Sequence, residues 1–222
     1  FGTTVVIAPH ADDESLGCGG MIALLRKYNM PVYIVLISDG TLSHPNSEKY
    51  PAEKLRDLRE SELISAAKIL GVAADKIVFC RYRDRSVPNK ENENFSEAVQ
   101  SLTKLFGIIQ PQSIFVPWRR DPHPDHRAAF QLVEAAEYNS AKIYEYPIWL
   151  TELGEDADLP NANEAMPFRL NIESVLDKKT EAIYRHQSQI SNLIDDDPDG
   201  FQLSEDMLDQ FKVPFETFFI SK

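Results

Sequence analysis

Short apolar runs alternate in this chain with longer amphipathic stretches, and that alternation restricts the fold more than any other feature. Residues 3–8 read TTVVIA, 32–37 read VYIVLI and 113–116 read SIFV. Such runs are rich in β-branched residues and too short for helices. The run at 32–37 carries no charge, as expected of a strand buried on both faces. Two further strands are predicted over 76–80 and 142–146. Between the strands, 16–28 places Met21, Leu24, Leu25 and Tyr28 at helical spacing. Residues 52–70 form a charged amphipathic helix with Gly71 as its C-cap, 95–109 a helix stopped by Pro111, and 127–138 another. Repeated strand-then-helix order requires crossover connections, hence an α/β fold with a mainly parallel sheet. Past 152–167, a polar loop, the pattern predicts a late strand over 168–172 and a helix over 176–189. The 222 residues are read as one domain, 1–222.

The charge balance narrows the function. A net charge of -12 argues against nucleic acid and anionic membranes, whose phosphates call for a basic stripe. No apolar run approaches the roughly 20 residues of a membrane span. Cys18 and Cys80 give neither a disulfide framework nor a C-x-x-C metal pair, which points to reduced thiols and a cytoplasmic protein. The chain opens at Phe1, so a removed leader is compatible with this reading.

Two of the predicted strands run into clusters of histidine and acid. The first is followed by Pro9-His10-Ala11-Asp12-Asp13-Glu14, the fourth by Pro122-His123-Pro124-Asp125-His126. Ligand sites of open α/β sheets lie at the carboxyl ends of strands, so the two clusters can meet. A catalytic divalent metal takes three protein ligands and leaves a position open for water. His10, His126 and one carboxylate of the first cluster would supply that set. Asp12 and Asp13 are adjacent, so one can ligate while the other serves as general base. His123 can stabilise a developing oxyanion or protonate a leaving amine, with Asp125 fixing its tautomer and raising its pKa. Taken singly, the aspartates could merely cap the helices that follow; two such clusters on one sheet favour a metal-hydrolase site.

The same residues carry a family resemblance. The segment from Val5 to Leu25, VVIAPHADDESLGCGGMIALL, resembles the opening signature of the PIG-L/LmbE-like de-N-acetylases, and HPDHRAA at 123–129 resembles their second. Ser38-Asp39-Gly40 after the second strand, Arg59-Glu60-Ser61-Glu62-Leu63 followed by Leu70-Gly71-Val72, KTEAIYRHQSQ at 179–189 and Glu216-Thr217-Phe218 are similar to weaker family segments. The resemblance implies a Rossmann-like three-layer fold and a zinc-dependent hydrolase that removes acetyl from an N-acetylglucosamine-type amide. It implies His10, Asp13 and His126 as metal ligands, Asp12 as general base, and His123 supported by Asp125 at the oxyanion. Arg59 and His186 would touch the substrate, a small amino sugar or its conjugate. Zn2+ is the expected cofactor, and another divalent cation such as Fe2+ suits the same donors. Ala11 replaces the Pro of the common family form and spares the ligands.

Rival readings attach to other features. His10-x-Asp12 with His126 also fits the facial triad of non-haem iron oxygenases, but those are largely β proteins. A non-catalytic binding module would show a broken motif, and both motifs are whole. Gly17-Cys18-Gly19-Gly20 lacks the third glycine of a dinucleotide fingerprint and is read as close helix packing. Asp195 to Gly200, with Asp206, partly matches a calcium loop but lacks its bidentate Glu, and is read as an acidic surface turn. Trp118, Trp149 and Tyr146 could each wall a pocket or fill a core. Substrate specificity is expected in loops 41–50, 83–94 and 152–167.

Overall fold

Alternate residues of a strand face opposite sides of its sheet, and here both sides are apolar. Val6, Ala8, Ile34 and Leu36 pack into one buried cluster with residues of the first two helices. Val5, Ile7, Val35, Ile37, Ile114 and Val116 enter a second cluster on the other side. The result is a three-layer α/β fold. The computed structural model describes residues 1–136, 138 and 140–221. Its elements run β1 (Thr4–Ala8), α1 (Asp13–Lys27), β2 (Val32–Ser38), α2 (Ala52–Leu70), β3 (Ile77–Tyr82), α3 (Phe95–Ile109), β4 (Ser113–Pro117) and α4 (Pro124–Ala135). They continue with β5 (Lys142–Tyr146), α5 (Leu150–Leu153), β6 (Ala165–Asn171), α6 (Leu176–Ile183), α7 (Gln187–Ile190), α8 (Glu205–Phe211) and β7 (Phe215–Ser221).

The sheet order is β3-β2-β1-β4-β5-β7-β6. The strands from β3 to β5 pair in parallel, and β7 and β6 close that edge antiparallel. Strand order reverses between β1 and β4, the switch point where such sheets open a crevice at their carboxyl ends. Both histidine clusters leave the sheet there.

Three sequence expectations shift. The helix expected over 127–138 begins at Pro124, because proline suits the first helical position; residue 137 of that expectation lies outside the described residues. The helix expected over 176–189 is two, interrupted at His186. The late strand spans Ala165–Asn171 and pairs with β7, a strand that the sequence pattern did not predict.

The glycines of α1 are packing glycines. A Cβ on Gly17 would stand 2.3 Å from the Tyr146 ring, and one on Gly20 2.5 Å from Ile172. Gly20 and Met21 donate their N–H groups to the buried Glu216 carboxylate, each at 2.7 Å. Lys179 completes that site at 2.7 Å. Among the described residues, no helix is long and apolar enough to cross a membrane.

Candidate metal centre and active site

Two turns at the switch point bring the clusters together. After β1, Asp12 N and Asp13 N donate to the His10 carbonyl, and the Asp13 carboxylate accepts from His10 N at 2.8 Å. Asp12 adopts a backbone φ of +153° in this tight turn, a conformation that costs an L-residue on the order of 1–3 kcal/mol and marks functional sites. After β4, the buried Asp121 organises the second turn. It accepts from the N–H groups of His123, Ile148 and Trp149. His123 caps α4, its Nδ1 accepting from Asp125 N at 3.2 Å.

The side chains then converge. Asp13 Oδ2 lies 3.4 Å from His10 Nδ1 and 3.2 Å from His126 Nε2. The two nitrogens are 3.4 Å apart. Their tautomers follow from what stands behind them. His10 Nε2 faces Asp125 at 3.2 Å and Asp84 at 3.4 Å, so it carries the proton. His126 Nδ1 faces Asp121 at 3.1 Å, so it carries the other. The remaining lone pairs of both rings point at each other and at a carboxylate. Three electron-pair donors at this spacing repel unless protons or a metal cation lie among them, and two imidazoles with one carboxylate are donors a divalent metal accepts. His10, Asp13 and His126 could therefore hold one.

Protons are the simplest cations to fill that place. Burial opposes a charge on His10, yet hydrogen bonds with Asp125, Asp13 and Asp84 outweigh it and hold its pKa well above the usual value. Burial likewise opposes charge on His126, but Asp13 and Asp121 push it up to about 9. Asp13 is buried too, and the two imidazoles hold it well below the usual carboxylate range. The cluster of carboxylates thus calls for positive charge at its centre. Asp12 behaves differently: burial pushes it up to about 6 against the pull of Arg59. Such a value suits a general base near neutral pH. For His123, burial and the neighbouring imidazoles lower the pKa to about 4. A neutral ring whose Nδ1 accepts a hydrogen bond presents an Nε2–H donor.

Several expectations need correcting. Asp125 does not orient His123 through its side chain; its carboxylate instead faces His10 and accepts from Arg85 N at 2.7 Å and Val87 N at 3.3 Å. The pKa of His123 is lowered rather than raised, because burial among other imidazoles dominates. Arg59, a candidate substrate contact, does line the cavity over these groups, although it is only 4% exposed. It donates to the carbonyls of Gly40 and Ala11, and its Nη2 lies 3.5 Å from Asp12. Its neighbouring acids are engaged elsewhere, Glu60 by Arg81 and Glu62 by Ser188. His186 does not line the cavity; it is buried against Glu14 at 3.0 Å. The triad of an iron oxygenase would use Asp12, whereas Asp13 is the acid that touches both imidazoles.

A cavity of about 260 Å³ opens over these groups. His10, Asp12, Asp13, Asp84 and His123 form its polar end. Leu42, Trp149, Leu153, Phe201 and Leu203 wall it. Loops 41–50 and 83–94 contribute as expected, and 152–167 contributes Leu153. Trp118 is core, its indole N–H donating to the Asp158 carbonyl. Tyr146 is core too. Arg119 pairs with Glu145 and Arg120 with Glu164. His44 contacts Ser43 Oγ, and Cys18 is buried in the core. The acidic turn at 195–200 serves the loop beside it: Asp196 and Asp197 accept from Lys49 N and Asn46 N, and Asp195 pairs with Lys49.

Asp84 and Asp121 join the centre without belonging to either sequence motif. Asp121 stands two positions before His123, and Asp84 follows β3. An acid just beyond the end of a third parallel strand was the available signal.

Known proteins resemble this chain over most of its length. The family model described as "PIG-L: GlcNAc-PI de-N-acetylase" matches residues 5–137. A Bacillus subtilis protein named "Probable N-acetyl-alpha-D-glucosaminyl L-malate deacetylase 2" is 29% identical over 198 residues, covering 86% of this chain and 84% of its own. The diacetylchitobiose deacetylase of Thermococcus kodakarensis is 29% identical over 194 residues, covering 82% and 68%. The solved structure of the N,N'-diacetylchitobiose deacetylase from Pyrococcus horikoshii, with its inhibitor MPG, superposes with a TM-score of 0.68 at 25% identity, covering 95% and 74%.

Proposed function

This chain belongs to the PIG-L de-N-acetylase family, and from that premise we propose that it is a metal-dependent hydrolase that removes the acetyl group of an N-acetylglucosamine-type sugar or its conjugate. One observation carries the reading. Two imidazole nitrogens and the Asp13 carboxylate converge within 3.2–3.4 Å, beside an Asp12 that burial pushes up to about 6.

His10 Nδ1, Asp13 Oδ2 and His126 Nε2 would hold the ion, and zinc suits that set. When bound, it supplies Lewis acidity that brings the ionisation of a water near neutral pH. The remaining work falls to the chain. Asp12 accepts the proton of the attacking water as its oxygen bonds to the amide carbon. His123 Nε2–H donates to the oxyanion that forms. The C–N bond then breaks, and the nitrogen takes the proton from Asp12, leaving acetate and a free amine. Asp84 and Asp125 hold His10, and Asp121 holds His126, so that each ring offers its lone pair inward. The substrate is a small amino sugar seated against Trp149 and Phe201. Two free cysteines support a reducing, cytoplasmic setting.

The test is acetate release from a panel of N-acetylated sugars and conjugates, with chelator, with zinc and with ferrous iron. The reading expects release that chelator abolishes and a divalent ion restores. Release unaffected by chelation, or none from any member of the panel, overturns it.

A further inference from the structure

We propose that His186 and Glu14 form a positioning pair that holds Asp12 in its reactive geometry; the inference rests on Asp12 being the general base. Glu14 is wholly buried, and its carboxylate is fully shared. Oε2 accepts from Asp12 N at 3.1 Å, and Oε1 accepts from Ser15 Oγ at 2.6 Å. His186 Nε2 lies 3.0 Å from the same Oε1. His186 is 1% exposed and sits at the interruption between α6 and α7, 172 positions along the chain from Glu14.

An acid in the first turn of a helix can reach back to the capping N–H in any protein. The imidazole behind it sets this one apart. Asp12 N and Ser15 Oγ are neutral donors, and a buried carboxylate without a charge partner is unfavourable, so Glu14 depends on His186 to remain where it meets Asp12. Asp12 in turn depends on its surroundings, since its φ of +153° persists only where neighbouring contacts over-determine it. Glu14 supplies the contact on its N–H, and Arg59 lies beside its carboxylate. The short segment after His186 braces the second contact as well. Ser188 donates N–H and Oγ–H to Glu62 at 2.8 and 2.6 Å, one helical turn along α2 from Arg59. The segment therefore packs against Glu14 through His186 and against α2 through Ser188; its Gln189 lines the cavity, and His186 itself does not.

The test uses the metal-loaded protein and three variants, His186→Leu, His186→Gln and Glu14→Gln, assayed on N-acetylglucosamine and N,N'-diacetylchitobiose. His186→Leu and Glu14→Gln are expected to lower kcat about 10- to 100-fold, the scale of a slight misplacement of a reacting group, with KM within about two-fold. His186→Gln, whose amide can still donate to Glu14, keeps most of the rate. Metal content stays at the wild-type level. Independently of turnover, the Asp12 amide proton should exchange about ten-fold faster in His186→Leu, with the rest of α1 still protected. Unchanged kcat and unchanged Asp12 exchange in folded variants overturn the proposal. So does a fall in thermal stability and rise in KM with the Asp12 amide still protected, which marks a merely structural pair. If the wild type releases no acetate from any sugar, the deacetylase reading fails, and the Asp12 exchange rate still decides whether the pair holds that backbone.

Discussion

Adjacent aspartates whose pKa values move in opposite directions are the sharpest feature of the site at the residue scale. Asp13 lies between two imidazoles that keep it charged, whereas Asp12 is buried with Arg59 as its nearest cation and rises to about 6. Substituting them should separate two functions. Asp12→Asn is expected to keep its metal while kcat falls about 10²- to 10⁴-fold, the range of general-base catalysis. Asp13→Asn should lose the metal, and elemental analysis of both purified variants reads the difference. A metal-free Asp12→Asn protein would reverse the assignment. Asp125 offers a second check, because its carboxylate stands behind His10, a proposed ligand. Asp125→Asn should weaken metal affinity about 10- to 100-fold, as loss of an orienting partner does, and titration against a chelator measures it. Unchanged affinity with a lower kcat would return Asp125 to the role beside His123.

The element that matters most is α1. It begins at the turn that carries His10 to Asp13 and holds the glycines that let it lie close to β5 and to Ile172. Gly17→Ala would drive a methyl into the Tyr146 ring at 2.3 Å, and overpacking of this kind costs about 1–3 kcal/mol. A lower midpoint in urea at unchanged slope is the expected readout. Glu216 anchors the middle of the same helix through two backbone N–H groups and Lys179. Removing one member of a buried ion pair leaves the other uncompensated, so Glu216→Ala should destabilise by about 3–5 kcal/mol. Were thermal unfolding of that variant the same as wild type, the buried pair would have no structural weight.

At the scale of the whole molecule, an ion held by this cluster would link folding to activity. Asp13, Asp84, Asp121 and Asp125 surround two imidazoles at the seam between β1 and β4, and no unfolded chain gathers them. A ligand that binds only the folded state stabilises it by mass action, about 2.7 kcal/mol at one hundred times its dissociation constant. Chelation should therefore lower the melting temperature and abolish acetate release together, and added zinc should restore both. Loss of activity without any shift in melting would mean that the ion does not sit in this cluster.

Much of this was legible in the chain. Short continuous apolar runs and helical spacing place β1 to β5 and α1 to α4, because the central strands are buried on both faces and each helix buries one face whose spacing its own residues declare. The two histidine clusters announced the centre, since a helix cap needs one acid, whereas two imidazole-bearing turns at strand ends of one sheet supply a set of metal donors. Tertiary structure decided what depends on approach from a distance. Asp84 reaches His10 only because β3 lies two strands from β1 with its end on the same side. Asp125 turns to His10 rather than to His123 because Arg85 N and Val87 N fix its carboxylate. The strand β7 and the interruption at His186 were hidden because short segments near the end of the chain owe their shape to partners, Glu14 and β6, rather than to their own periodicity. Local spacing therefore determined the elements and the residues at their ends, while the pairing of charge with charge across the switch point required the folded sheet.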